Sequence, residues 1–323
     1  VKQKREEKDL AKKDLYLRGV IYLTSRTEIN LAGIKLKNPI IMASGTYGYG
    51  EEFKNFYDPK ILGGIASKGI TRYPKKGNEG IRIWETPSGI LNSIGLENPG
   101  VEEFVETKIH DMNKLGTEIF VNLGGNTIEE YVESAKILND YDFAAIELNI
   151  SCPNVKEGGM AFGMDKESAA KVVREVMKVT NKKVFVKLSP NAGDIVGIAK
   201  AVEAEGATGL SLINTILGMA IDLDREEIVF NNTYAGLSGP AVKPIALRIL
   251  HQVAKNVDIP IIGMGGISNY KDVLEFLMAG ASAVEIGTYN FMNPFAGEEI
   301  IRDLENYLEE KNKNINDYIK KLV

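Results

Sequence analysis

The chain has one cysteine in 323 residues, Cys152. A lone thiol cannot close a disulfide within the chain, nor supply the several sulfur ligands of a cysteine-built metal cluster. Long apolar runs are lacking too: no segment reaches the ~20 apolar residues that a membrane-spanning helix needs. The first 18 residues have no apolar core of the kind a secretory signal carries. They mix Lys2, Lys4, Arg5 and Lys8 with Glu6, Glu7 and Asp9, and the stretch from Gly19 to Leu23 is too short to serve. That prefix reads as a solvated helix or frayed tail, with a partner-docking segment as the alternative, and the expected location is the cytoplasm. With a net charge of -5, there is no electrostatic reason to expect nucleic acid as a partner. Low-complexity linkers are absent, as is any repeat beyond a βα unit. Residues 1–26 are therefore read as a charged extension and 27–323 as a single domain.

What is present is an alternation of short β-branched runs with amphipathic stretches. Strands are expected at 40–44, 64–69, 118–123, 144–150, 183–188, 209–214, 260–264 and 283–287. Helical patterns fall at 101–115, 127–139, 166–180, 194–205, 242–256, 269–279 and 294–310. The strand runs are continuously apolar, as in a parallel sheet covered on both faces. Eight of them, mostly separated by helices, point to a closed (β/α)8 TIM barrel. Residues 29–36 alternate around a turn and read as a hairpin closing the opposite, N-terminal end. Two stretches, 72–100 and 216–240, fit no simple βα unit; both follow strands and belong above the C-terminal mouth.

In such a barrel the chemistry lies at the C-terminal strand ends. Those ends carry Ser44, Lys68-Gly69, Asn122, Asn149, Lys187, Asn214-Thr215, Gly265-Gly266 and Gly287-Thr288. Either lysine alone could be a solvated rim residue. Two lysines and three asparagines on otherwise apolar strands are harder to explain by packing, because a buried lysine must desolvate its charge. Amides donate and accept, so the ring suits a planar ligand edged with carbonyl and N–H groups. The glycines after strands seven and eight, with Ser238-Gly239 upstream, mark a place where backbone can approach a phosphate. A polar ring beside a phosphate site suggests flavin mononucleotide.

Cys152 lies in Asn149-Ile150-Ser151-Cys152-Pro153-Asn154, just past a strand end. A buried inert thiol is the ordinary role of a single cysteine. A polar loop at a strand end favours one that faces a ligand, as nucleophile or base.

These residues resemble the catalytic subunit of class 1B dihydroorotate dehydrogenases. The similarity runs through Ala66-Ser67-Lys68-Gly69-Ile70-Thr71, Leu91-Asn92-Ser93-Ile94-Gly95-Leu96-Glu97-Asn98-Pro99-Gly100, the Cys152 motif, Val186-Lys187-Leu188-Ser189-Pro190-Asn191, Gly236-Leu237-Ser238-Gly239-Pro240-Ala241 and Ile262-Gly263-Met264-Gly265-Gly266. The resemblance implies an FMN-binding barrel that oxidises dihydroorotate to orotate in pyrimidine biosynthesis. Cys152 would be the base for the C5 proton while hydride passes from C6 to the flavin. Lys68 would touch both flavin and substrate. Asn92, Ser93, Ile94, Gly95 and Leu96 would form the substrate loop, and Asn149, Asn154, Asn214 and Thr215 would hold the pyrimidine ring. Ser44, Gly69, Asn122, Asn149, Lys187 and Ile213 would line the flavin ring and ribityl chain. Gly239, Gly265, Gly266, Gly287 and Thr288 would complete the cofactor site. Lys187 would favour the anionic reduced flavin.

The class 1B resemblance also implies a homodimer joined to a subunit carrying FAD and [2Fe–2S] as a heterotetramer that delivers electrons to NAD. With one cysteine here, any such cluster belongs to the partner. Three alternatives stay open: a class 1A-type enzyme that reduces fumarate, a dihydropyrimidine dehydrogenase-type barrel, and a flavin-binding scaffold without catalysis. The charged prefix is longer than the resemblance leads one to expect. Cys152→Ala should keep the flavin yet lose most dihydroorotate-driven bleaching at neutral pH in stopped-flow absorbance; unchanged bleaching would rule out the thiol as base.

Overall fold

The computed structural model describes residues 26–151 and 162–323. Cys152, Asn154 and the prefix to residue 25 lie outside the described residues. Eight parallel strands close a barrel in chain order: Ile40–Met42, Gly64–Ala66, Glu118–Leu123, Ala145–Asn149, Val184–Lys187, Gly209–Leu212, Ile261–Met264 and Ala283–Ile286. They are called strands one to eight below. The eighth pairs back onto the first, Ile286 opposite Met42, which seals the cylinder. Each strand is buried on both faces except for Glu118 at one end, which is why the runs are continuously apolar rather than alternating.

All seven expected helical stretches are helical, with one division: the segment over 101–115 forms Val101–Thr107 and Ile109–Asn113, broken at Lys108. Between strands one and two the described chain makes only the short 3-10 turns Glu51–Asn55 and Pro59–Ile61. Side-chain caps set several helix starts. Thr127, Asp165, Asp194 and Asn269 each accept a backbone N–H from the first turn that would otherwise lack a partner. The helices lay apolar stripes on the barrel wall, as Ala169, Val172, Val173 and Val176 do in Lys166–Met177.

The barrel interior is filled in layers. Phe120 on strand three and Phe185 on strand five meet edge to face, with ring centroids 5.9 Å apart. Glycines on the neighbouring even strands make the room: a Cβ on Gly64 would stand 2.9 Å from the Phe120 ring, and one on Gly209 only 2.4 Å from the Phe185 ring. Below this layer, Ile29–Leu31 and Ile34–Leu36 form the expected hairpin, with Ile29, Leu31, Ile34 and Leu36 buried. Lys183, just before strand five, donates to the carbonyl of Ala32 at 2.6 Å, which fixes the hairpin at the N-terminal end.

The two insertions above the mouth do something that composition did not reveal: they join. Ile216–Gly218, Ala235–Ser238, Gly89–Asn92 and Ile83–Thr86 form one four-stranded antiparallel sheet in that spatial order. Its own small core gathers Leu91, Val229, Phe230 and Ala235, with Trp84 and Leu237 packed against it. Gly89 cannot carry a side chain here, since its Cβ would lie 2.0 Å from the carbonyl of Ser238. Among the described residues no helix is long and apolar enough to cross a membrane.

The layer packing has a direct test. Gly209→Ala forces a methyl into the Phe185 ring and should destabilise the fold by ~1–3 kcal/mol in chemical denaturation. Adding Phe185→Leu should recover part of that loss; no change in the single variant would contradict the steric account.

Candidate active site

At the C-terminal end of the barrel lies a cavity of about 720 Å³, walled on one side by the four-stranded sheet. That volume suits a cofactor together with a small substrate. Every site residue expected from the sequence, other than Cys152 and Asn154, lines this one cavity. Ser44, Lys68 and Gly69 come from strand ends one and two. Asn122, Asn149 and Lys187 come from strands three to five, and Ile213, Asn214 and Thr215 from just past strand six. Gly239, Gly265, Gly266, Gly287 and Thr288 come from the last third of the chain. Asn92, Ser93, Ile94, Gly95 and Leu96 close it from the insertion. The segment that begins at Cys152 is rooted at Ser151, which also lines the cavity.

Lys187 is no rim residue; it is buried at the cavity floor. Its ammonium lies 3.2 Å from both carboxylate oxygens of Glu147, 3.5 Å from Glu285 Oε2 and 3.4 Å from Ser44 Oγ. Glu147 also accepts from Ser211 Oγ at 2.8 Å and from the Asn122 amide. Burial by itself would push the Glu147 carboxyl up; the Lys187 charge, the neighbouring Glu285 carboxyl and hydrogen bonds from Asn122 and Ser211 outweigh it and hold the group below its ordinary range. For Lys187 burial works downward, but Glu147 and then Glu285 outweigh it, so the ammonium persists. Glu285 differs: burial first, then the charge of Glu147, pushes its carboxyl well above the ordinary value.

A second set of contacts ties strand ends to the root of the Cys152 segment. The Asn149 amide donates to Asn122 Oδ1 at 3.4 Å, and Asn149 Oδ1 accepts from Ser151 Oγ at 2.7 Å. Ser151 Oγ accepts in turn from the Asn214 amide. Tyr131 Oη, from the helix Ile128–Leu138, donates to the Asn149 carbonyl at 2.8 Å. Strands three, four and six are therefore linked by side chains that converge on Ser151, the last described residue before the segment expected to carry the base.

The loop over 92–96 is held from behind by Asn98, whose buried side chain accepts from the N–H groups of Thr71 and Gly100 and donates to the Leu96 carbonyl at 2.6 Å. Gly95 has φ +78 and its Cβ would lie 2.6 Å from the Asn78 nitrogen, so only glycine fits. Ser93 Oγ accepts from the Asn78 amide at 3.0 Å and from the Asn232 amide at 3.4 Å, joining the two insertions at the cavity wall.

These residues fit FMN. The floor offers a cation and amides to a heterocycle edge, and both Glu285 carboxylate oxygens lack a hydrogen-bond donor among the described residues although they are buried against the cavity. At the far end, Gly239, Gly265 and Gly266 all have positive φ, and Cβ atoms there would strike Gly89, Ala246 and the Gly239 carbonyl at 2.6, 2.7 and 2.8 Å. The backbone itself forms that part of the wall, as a phosphate cradle requires.

Sequence reasoning missed Glu147, Glu285 and Ser211. The signal was present: each is a polar residue inside an otherwise apolar barrel strand, at Ala145–Asn149, Ala283–Ile286 and Gly209–Leu212. Attention to strand ends passed over residues one or more positions deeper. Ser151 was read as part of a motif, without the bridging role its hydroxyl takes.

A family model described as dihydroorotate dehydrogenase matches residues 26–308. The chain is similar to dihydroorotate dehydrogenase B (NAD(+)) catalytic subunits. It is 52% identical over 285 residues to that of Petrotoga mobilis, covering 88% of this chain and 95% of the relative. To that of Thermoanaerobacter pseudethanolicus it is 50% identical over 293 residues, covering 90% and 97%. To that of Desulforamulus reducens it is 54% identical over 283 residues, covering 87% and 93%. With the barrel, the lined cavity and these matches in agreement, the chain belongs to the dihydroorotate dehydrogenase family.

Proposed function

We propose that this chain is an FMN-dependent catalytic subunit that oxidises dihydroorotate to orotate in pyrimidine biosynthesis, and that its electrons leave through a partner carrying FAD and [2Fe–2S] to NAD. Residues 27–323 act as one FMN-binding unit. The observation that carries the reading is the gathering of Lys68, Asn149, Asn214, Thr215 and the 92–96 loop on one cavity whose floor holds a buried cation. The relatives' printed names, which pair a catalytic subunit with NAD(+), support the partner.

FMN, when bound, supplies the two-electron acceptor. The chain's own residues carry the proton half of the reaction and the positioning. Cys152 follows directly on Ser151 and takes the C5 proton of the substrate. Asn149, Asn154, Asn214 and Thr215 hold the pyrimidine ring, their amides meeting its carbonyl and N–H edges. An amide donor aimed at a ring carbonyl stabilises the negative charge that builds as the C5–H bond breaks. Lys68 pairs with the substrate carboxylate, and the 92–96 loop excludes water from the ring. Ser44, Gly69, Asn122, Lys187 and Ile213 hold the flavin ring and ribityl chain, while Gly239, Gly265, Gly266, Gly287 and Thr288 hold the phosphate end. The Lys187 charge favours negative charge on the cofactor above it.

Reconstitution distinguishes the electron exits. NAD reduction by dihydroorotate should appear only when an FAD/[2Fe–2S] subunit is added to the purified chain; fumarate turnover by the chain alone, as fast as with other acceptors, would favour the class 1A route. Asn214→Ala should lower kcat/KM for dihydroorotate by ~10²-fold, the usual loss for one charge-stabilising donor, while FMN stays bound. An unchanged kcat/KM would remove Asn214 from the substrate site.

A further inference from the structure

Strands four, five, six and eight place Glu147, Lys187, Ser211 and Glu285 in one buried layer at the cavity floor. The donors in that layer are distributed unevenly. Glu147 receives Lys187 on both oxygens, Ser211 on one and Asn122 on the other. Among the described residues Glu285, 1% exposed, receives no hydrogen bond on either oxygen, and the cation paired with it stands 3.5 Å away, closer to Glu147 than to itself. Two carboxylates and one ammonium would leave a net negative charge buried without compensation, which is costly. One proton on the pair removes that charge. It belongs on the carboxyl without donors, where the new O–H is directed at the Glu147 carboxylate, since both carboxyls lie within 3.5 Å of the one Lys187 ammonium.

We propose that Glu285 is a positioning residue of the cofactor floor: it stands as a neutral acid that donates its O–H to Glu147, so that Glu147 and Lys187 form a balanced pair and the Lys187 ammonium stays at the cavity beside Ser44. If Glu285 were ionised, Lys187 would be shared by two carboxylates and drawn toward the barrel core, and the floor would present net negative charge to the ring above. The cofactor part of this inference rests on the FMN reading; the protonation part does not. Among the described residues, Glu147 and Lys187 are the charged groups that act on Glu285.

A carboxyl whose folded-state value is raised above its ordinary 4.5 binds its proton in the folded protein and releases it on unfolding once the pH exceeds that ordinary value. Stability from this group therefore falls as pH rises from about 4.5 toward the folded value. Glu285→Gln keeps a neutral donor of similar shape and removes the titration. In urea unfolding, the ratio of the parent's unfolding constant to the variant's should rise with pH, by up to ~tenfold per pH unit across that window, the limit for one proton. A ratio that stays constant or falls as pH rises would overturn the neutral acid. The titration reads with or without FMN, so failure of the cofactor reading stays separate.

Infrared difference spectra give a second readout. The parent should show the carbonyl stretch of a protonated acid at neutral pH, and Glu285→Gln should lack it; its absence from the parent, or its persistence in the variant, also overturns the assignment. With FMN bound, Glu285→Gln should change the ratio of affinities for reduced and oxidised flavin by less than ~threefold, because no charge is altered. Loss of an ionised group this near would change that ratio by ~tenfold or more. Glu285→Ala removes the O–H and should loosen FMN by ~tenfold; parent-like FMN binding in a folded Glu285→Ala protein would end the positioning role.

Discussion

The buried pair of Glu147 and Lys187 is the contact on which the mouth of this barrel depends. Burying two charges is expensive, and their mutual attraction seldom repays the cost by itself. Here the remaining valences are filled: Ser211 and Asn122 hold the carboxylate, and Ser44 lies within reach of the ammonium. An apolar pair could have served stability alone. What an apolar pair could not provide is a fixed positive charge on the floor of the cavity. Removing Lys187 would leave the Glu147 carboxylate buried without its cation, at a cost of ~3–5 kcal/mol.

That layer is precise because the one beneath it is rigid. Phe120 and Phe185 fill the barrel below, and Gly64 and Gly209 give them space, so the polar residues above sit on a close-packed aromatic base. Above the floor, the run from Asn122 through Asn149 and Ser151 to Asn214 joins three strand ends. The chain that leaves Ser151 starts from a point held by side chains on both sides and, through Tyr131, by a surrounding helix. The four-stranded sheet closes the remaining side and carries the 92–96 loop on its edge. Site geometry is thus divided between a rigid barrel and an inserted sheet with a small core of its own.

Much of this was legible in the order of residues. The eight strands and seven helical stretches could be placed to within a few residues because a two-sided parallel strand must be apolar throughout and an outer helix apolar on one stripe. Lys68, Asn122, Asn149, Lys187 and Asn214 could be picked out because polar residues ending apolar strands have little packing reason to be there. The insertions were less legible. Their strands are two to four residues long, broken by glycine and proline, and pair across more than 140 positions of chain, as Leu91 does with Leu237. Periodicity needs longer runs than that to register.

By itself the sequence determined the strand and helix alternation, the closure into a barrel and the residue types available at its mouth, because hydrophobic periodicity is local and survives in the linear order. Only the tertiary structure decided that Glu147, Ser211 and Glu285 share a layer with Lys187, that Ser151 bridges Asn149 and Asn214, and that two remote insertions make one sheet. Those outcomes depend on barrel stagger and long-range pairing, and on how a scarce supply of donors is divided among buried carboxyls, none of which is a property of neighbours in the chain.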